Sequence, residues 1–512
     1  MSGSRVDLPF LLRRAARCFP DAPATEDRLG SLALAPMIAR AERFANALDE
    51  IGVPPGAPVA LLSENRREYP EVDSGIVIAR RVRLAFNARL HLEDHRQVVE
   101  SAGVRALVHS ASFEAEAAAL VEEYGIVAIC LDPPSSGSSS RYYEDLLAAA
   151  APQPVDRDGD PEDPAWITYT SGTTGKPKGI VLSHRAIREV ALNLLVELPS
   201  IRPGDQIVLT QPLSHGASYF VLPYLIAGAG VYVVRKFDPE EVLAVSAREG
   251  ARVLKLVPAM LPPLLELSAG RELGYSTIVY GASPISHPLL EQSLERFGPV
   301  LMQVYGQSEA PVTLTCLQKE DHLGDGGQRF SVGRPWRSVA IEVRGEDGSP
   351  RAAGEVGEVV VSGSHMMSNY HEMPKATGEI FDGGWLRTRD IGQFDERGFL
   401  YLLGRQDEMI NSGGFNVAPR EIEIALTEHP AVEEAAVVGT PDPRWGEAIN
   451  ALVCSRDAGL TAAQLIEFAR GRLGYRSPRR IVFVDQIPKT TYGKVDREKV
   501  LAMLLDGVGV AP

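Results

Sequence analysis

Two rhythms of apolar positions alternate through the first 130 residues. The stretch "MIARAERFANALDEI" (37–51) spaces its apolar residues at three and four, the period of a helix with one buried face. By contrast, "APVALLS" (57–63) and "VRALVHS" (104–110) are short apolar runs of the kind that form buried strands. The alternation resumes after residue 200 through "DQIVLTQ", "GVYVVRK" and "YSTIVYG". Strands separated by helices predict a mostly parallel sheet flanked by helices. From Val339 to Leu403 short strands are punctuated by "EDGSP", "AGEVGE" and "DERGF", which predicts a small β-barrel or meander. The residues from "DEMINSGGF" onward read as a compact α+β unit. The expected fold class is therefore α/β: a large N-terminal domain over residues 1–404, with mostly parallel sheets, flanking helices and a small β-barrel, then a small α+β C-terminal domain over 405–512. "PPSSGSSSRYYED" and "DRDGDPEDP" read as surface loops inside the large domain, and no internal repeat is present.

Composition narrows the function classes. A chain of 512 residues is too long for one ordinary core. No run of eighteen apolar residues offers a membrane span. The start, "MSGSRVDLPFLLRRAARCFP", reads as an arm leading into a helix rather than as a leader peptide. Cys18, Cys130, Cys316 and Cys454 show no CxxC spacing, so a reducing, cytoplasmic setting without structural disulfides or zinc is expected. A net charge of −15 disfavours nucleic acid as a partner. Monomer and homodimer both stay open.

Candidate chemistry enters with "YTSGTTGKPKG" (Tyr169–Gly179). It packs Thr170, Ser171, Thr173 and Thr174, glycines including Gly172, and Lys176 and Lys178 into eleven positions. The whole chain has only nine lysines, and Lys176 is the first. Small hydroxyls, glycines and ammonium groups together suit phosphate oxygens. The loop is not a Walker A motif, because Pro177 stands five positions after Gly172, where that motif needs glycine. Two other hints are weaker. "HLEDH" (91–95) has its glutamate at the wrong position for a zinc-binding HExxH and reads as helix-start chemistry; "AGAGVYV" lacks the third glycine of a dinucleotide fingerprint. No complete G-x-S-x-G is present.

The loop resembles the phosphate-binding signature of the ANL superfamily of adenylate-forming enzymes, which includes acyl-CoA synthetases, peptide-synthetase adenylation domains and firefly-type luciferases. Further motifs follow in order: "QPLSHGASYF", "VYGASPIS", "QVYGQSEA", "WLRTRDIG", "GRQDEMINSGGFNVAPREIE" and "PKTTYGKVDR". The resemblance covers nearly the whole chain and is weakest before Cys130, where "VRLAFNARL" departs from the usual apolar, Pro-containing stretch. It implies ATP, Mg²⁺ and, in the acyl-CoA branch, CoA as reactants and cofactor. It also implies that Gly281, Ala282 and Ser283 contact adenine, that Tyr305 stacks on it beside Gly306 and Gln307, and that Ser308 touches the α-phosphate. Glu309 would hold Mg²⁺ with Thr173, and Asp390 and Arg405 would hold the ribose. Ser308 stands for the usual Thr and Arg389 for the usual Gly.

Asp407 would be the hinge of a mobile C-terminal domain, and Lys494 the lysine that catalyses adenylation. His215 would lie beside the carboxylate, with Gly216, Ala217, Gly281 and Val304 lining the acyl pocket. Gly413, Gly414 and Phe415 would line the thiol channel. Amino-acid-activating relatives carry an Asp where Gly216 stands, and a buried ammonium without a carboxylate would be costly, so an amino acid is not expected. The small residues fit an aromatic, alicyclic or medium-length acid better than acetate. "NVAPREIE" resembles CoA ligases, and free CoA is the expected acceptor. The alternatives are a stand-alone enzyme that loads a carrier protein, and a luciferase-like oxygenase or non-catalytic binder.

Overall fold

A computed structural model describes residues 6–155, 157–170, 177–324, 327–490 and 495–506. Two large sheets form the body of the molecule. The first has eight strands in the order Asn369–Tyr370, Lys178–Ser183, Pro164–Thr170, Val82–Ala85, Pro58–Leu62, Ala106–His109, Val127–Cys130 and Arg141–Tyr142. Its members from Pro164–Thr170 to Arg141–Tyr142 run parallel. The second has nine strands, with a parallel centre of Gly230–Val233, Gln206–Leu209, Ala251–Leu256, Thr277–Gly281 and Leu301–Gln307. The antiparallel strand Ala310–Leu317 then carries the chain back beside Leu301–Gln307. Central parallel strands are buried on both faces, which explains why "IVL" and "GVYV" read as unbroken apolar runs.

The helix predicted at 37–51 is observed as Leu34–Glu50 and packs Met37, Ile38, Ala41, Phe44 and Leu48 into the core between the sheets. "HLEDH" opens the helix Leu92–Ala102 as a capping box, with the Asp94 side chain accepting from the His91 backbone N–H at 3.0 Å. A five-stranded antiparallel sheet follows: Ala340–Arg344, Gly357–Ser362 and Trp385–Phe394, with Phe381–Asp382 and Leu400–Arg405 both on the far edge of the last. A 3₁₀ turn, Gln406–Glu408, leads to a separate sheet built round the hairpin of Val432–Asp442 and Gly446–Ser455, which has its own apolar cluster. The four cysteines are unpaired. Among the described residues no helix is long and apolar enough to cross a membrane.

Candidate active site

The C-terminal ends of the second sheet's parallel strands carry the His215, Gly281–Ser283 and Tyr305–Glu309 segments, as expected for ligand sites in open α/β sheets. Tyr305 lies near the end of Leu301–Gln307, and Ser308 and Glu309 form the turn that follows. The Tyr305 phenol donates to Asp390 Oδ2, whose other oxygen accepts from Arg405 at 3.1 Å. Strand register produces this pairing, since Asp390 on Trp385–Phe394 sits directly opposite Arg405 on Leu400–Arg405. Asp390 is further oriented by its backbone N–H donating to Thr388 Oγ1. Burial and the Asp390 charge hold the Tyr305 phenol well above its ordinary range, so it stays a donor. Arg405 is held above its ordinary range by Asp390 and Asp407 in spite of its burial.

A second cluster centres on Tyr370. Its phenol donates to Glu309 Oε1 at 2.8 Å, and Lys178 Nζ stands 5.2 Å from its ring centroid. Tyr370 belongs to the two-residue strand that edges the first sheet beside Lys178–Ser183. Thr170 and Lys178 pair across the neck of the glycine-rich loop; Ser171, Gly172, Thr173 and Thr174 lie outside the described residues, as does Lys494. Arg389 takes φ +60°, the left-handed region. The usual glycine is thus accounted for: the bend before Asp390 needs positive φ, and this chain meets it with a strained arginine whose charge acts on Tyr370.

Residues outside every motif hold the His215 segment. Asn65 donates to the carbonyls of Gln211 (2.8 Å) and Val234 (3.0 Å) and accepts from the Leu213 N–H at 2.7 Å. Buried Arg83 donates to the Leu213 carbonyl at 2.8 Å and pairs with Asp73 at 3.1 Å. An arginine inside the apolar strand of "VRLAFNARL" was the available signal; for Asn65 there was none. His215 Nδ1 lies 2.8 Å from Ser214 Oγ. Burial, then the charges of Arg83 and Arg89, push the imidazole down to about 4, so it is neutral at pH 7.

The expected acyl-pocket residues differ in why they are small. A Cβ on Gly216 would meet nothing within 4 Å, whereas one on Gly281 would lie 2.2 Å from the Val304 carbonyl oxygen. Close strand packing therefore demands glycine at 281 whatever the pocket needs. Gly306 is likewise forced, by the backbone of Val312. Ala217 and Val304 are buried, and Ala282, like Arg389, takes a positive φ of 67°.

In the small domain, Gly413 donates its N–H to the Trp445 carbonyl at 2.7 Å, and Phe415, 58% exposed, rests against Tyr475. The described contacts of this hairpin are with its own domain. Asp407 is exposed in the 3₁₀ turn, and its neighbour Glu408 pairs at 2.9 Å with Arg497, three residues beyond Lys494. Arg420 donates across to the Ile285 carbonyl at 3.0 Å, tying the small domain to the end of "VYGASPIS".

Comparison with known proteins agrees with this architecture. The family model described as AMP-binding enzyme matches residues 12–371, and that of the AMP-binding enzyme C-terminal domain matches 421–494. The chain belongs to the AMP-binding family of adenylate-forming enzymes. It is 37% identical over 491 residues to a medium/long-chain-fatty-acid–CoA ligase of Mycobacterium tuberculosis, covering 92% of this chain and 86% of that one. It is 32% identical over 494 residues to a feruloyl-CoA synthase of an Amycolatopsis species, covering 95% and 97%. The solved structure of an amide bond synthetase from Marinactinospora thermotolerans superposes with a TM-score of 0.88 at 32% identity, over 97% of this chain and 99% of that one.

Proposed function

We propose that this protein uses ATP to convert a carboxylic acid to its acyl-AMP, releasing pyrophosphate, and then transfers the acyl group to the thiol of CoA. The observation that carries this reading is the junction of two clusters at one turn. Tyr305, Asp390 and Arg405 form a surface with hydroxyl-accepting and aromatic character; Glu309, Tyr370 and Lys178 form an adjoining charged one.

Ribose hydroxyls donate to Asp390, the adenine lies against Tyr305 and the 281–283 segment, and the phosphates run toward Ser308, Lys178 and the loop. Mg²⁺ in nucleotide sites is ordinarily held by one or two carboxylates plus substrate phosphates. Glu309 fits that pattern, and no group of three or more metal-ligating side chains competes for the ion among the described residues. The ion's contribution is to neutralise phosphate charge.

The acid's carboxylate oxygen attacks the α-phosphorus as the bond to the β-phosphate oxygen breaks. No base is required, because the carboxylate is already ionised at neutral pH. Neutral His215 can lie beside that carboxylate as a donor without binding it as a salt. Catalysis then rests on positioning and charge, with Lys178 and Lys494 as cationic donors. In the second step the CoA sulfur attacks the acyl carbonyl, the thiol proton is lost, and AMP departs. The Gly413–Phe415 hairpin would reach the site by rotation about Asp407.

The names of the fatty-acid and feruloyl ligases accord with a bulky acid, and open space beside Gly216 accords with it too. The four unpaired cysteines accord with a reducing cytoplasm. The deciding experiment measures pyrophosphate release with ATP over a panel of aromatic, alicyclic and straight-chain acids. Parallel arms add CoA, a pantetheinylated carrier protein, or an amine, the last because the structural relative makes amides. Acid-dependent release followed by acyl-CoA alone supports the reading. Product only with the carrier or the amine reassigns the acceptor, and no release with any acid overturns adenylation.

A further inference from the structure

One of the nine lysines lies where lysine is least expected. Lys255 is the penultimate residue of the Ala251–Leu256 strand, the central strand of the nine-stranded sheet, and is 2% exposed. Its ammonium donates to the Leu256 carbonyl at 3.1 Å and stands 5.6 Å from the Phe220 ring centroid. No carboxylate among the described residues pairs with it. A buried ammonium with one hydrogen bond and no counter-charge costs several kcal/mol, so it calls for a partner or a function. Desolvation alone pushes it down to about 7, so the site is poised between its charged and neutral forms.

Sheet register fixes where the side chain points. Lys255 is in line with Leu209 on one side and Val279 on the other, and Val279 is in line with Met302. Those three belong to the cluster that also holds Ala217, Phe220 and Val304. Lys255 therefore faces the His215–Phe220 segment. Two residues farther along the same face, Gly281 is paired with Val304. One pleat repeat is about 7 Å, so Lys255 lies roughly that far below the residues expected to line the acyl pocket. Nearby, Gln211, two residues beyond Leu209, has a buried side-chain oxygen with no partner.

We infer that Lys255 is the specificity group of the acyl site and that the acid carries a second anionic group at its far end, which pairs with the Lys255 ammonium. This rests on the adenylation reading above and narrows it. The carboxylate to be activated lies at the nucleotide end, and the second anion (carboxylate, sulfonate or phenolate) lies one short spacer deeper. Such an anion supplies the missing counter-charge, whereas a plain alkyl or aryl end would leave the ammonium desolvated and unpaired.

The test compares matched acids that differ only at the far end: hexanoate with adipate, and 3-phenylpropanoate with 3-(4-carboxyphenyl)propanoate. Pyrophosphate release is measured for the wild type and for Lys255→Met, which keeps the apolar stem and removes the charge. The wild type should favour the diacid of at least one pair by tenfold or more in kcat/KM, and Lys255→Met should lower that diacid-to-monoacid ratio at least thirtyfold. If Lys255→Met does not fold, the thermal shift of the wild type with each acid serves instead, and the diacid must give the larger shift. Wild-type preference for the plain acid in both pairs, or an unchanged ratio in a folded variant, overturns the inference while leaving adenylation intact. If no acid in the wider panel releases pyrophosphate, the adenylation reading falls and takes this inference with it.

Discussion

The Tyr370 phenol donates to Glu309 Oε1 at 2.8 Å, joining a residue on the edge of the first large sheet to the turn that ends a central strand of the second. Neither sheet alone places the Glu309 carboxylate; the contact between them does. Hydrogen bonds to charged groups contribute about 1.5–3 kcal/mol. Tyr370→Phe should slow acid-dependent pyrophosphate release about tenfold or more and raise the Mg²⁺ concentration needed for half-maximal rate. An unchanged Mg²⁺ dependence would show that Tyr370 merely packs.

Arg389 tests whether strain or charge explains an arginine at a positive φ, where the motif it resembles has glycine. Glycine at positive φ relieves strain, while its extra freedom in the unfolded chain offsets part of the gain, so Arg389→Gly should leave stability within about 1 kcal/mol. Arg389→Val, β-branched at φ +60°, should destabilise clearly more. Thermal unfolding of the two variants side by side decides this.

Acid should destabilise the fold through buried neutral histidines. His184, His215 and His365 are each pushed down to about 4 by burial, against an ordinary 6.5. The unfolded chain binds these protons first, so stability is complete above pH 6.5 and is lost as pH falls from 6.5 to 4. Each histidine contributes on the order of 3 kcal/mol over that window. His215→Gln should make the fall in Tm across it shallower by about one proton's worth, and an identical slope would count against a buried neutral imidazole.

Lys494→Ala separates the two half-reactions. Loss of a cationic donor aimed at the transition state should cost adenylation roughly 3 kcal/mol or more, about a hundredfold. Thioester formation from supplied acyl-AMP should be largely spared. Equal loss in both steps would mean that one arrangement of the small domain serves both.

Asp407→Pro tests the pivot. Asp407 sits within a 3₁₀ turn, whose usual φ of about −50 to −70° is near the value proline imposes. The variant should therefore fold into the arrangement described here and be held in it, keeping one half-reaction and losing the other. Pyrophosphate exchange and thioester formation measured separately would show two near-normal rates if Asp407 is only a surface carboxylate.

The parallel sheets were legible in the sequence because buried strands are local apolar runs, and "HLEDH" because a helix cap is local too. The Asp390–Arg405 pair lay in two quoted motifs, yet their contact depends on the register of two strands, which no short window contains. Tyr370, Asn65, Arg83 and Lys255 were not singled out. Tyr370, Asn65 and Arg83 act through partners distant in sequence, and a polar residue in an apolar run, as Lys255 is, shows its importance only when burial is known. Gly281 was read for its pocket, while the backbone of Val304 supplies a second and sufficient reason for its size.

The Lys178–Tyr370–Glu309 and Tyr305–Asp390–Arg405 groupings also set a schedule for biosynthesis. Their members are spread from residue 178 to residue 405, so the ribosome delivers the last roughly 10–45 s after the first. Until Arg405 emerges, Asp390 lacks its cation and the first sheet lacks the Asn369–Tyr370 edge for much of that time. A nascent chain that has passed Glu309 but not reached Tyr370 holds that carboxylate without its partner and an open strand edge. Chaperone dependence should therefore peak late in translation, close to release of the five-stranded sheet.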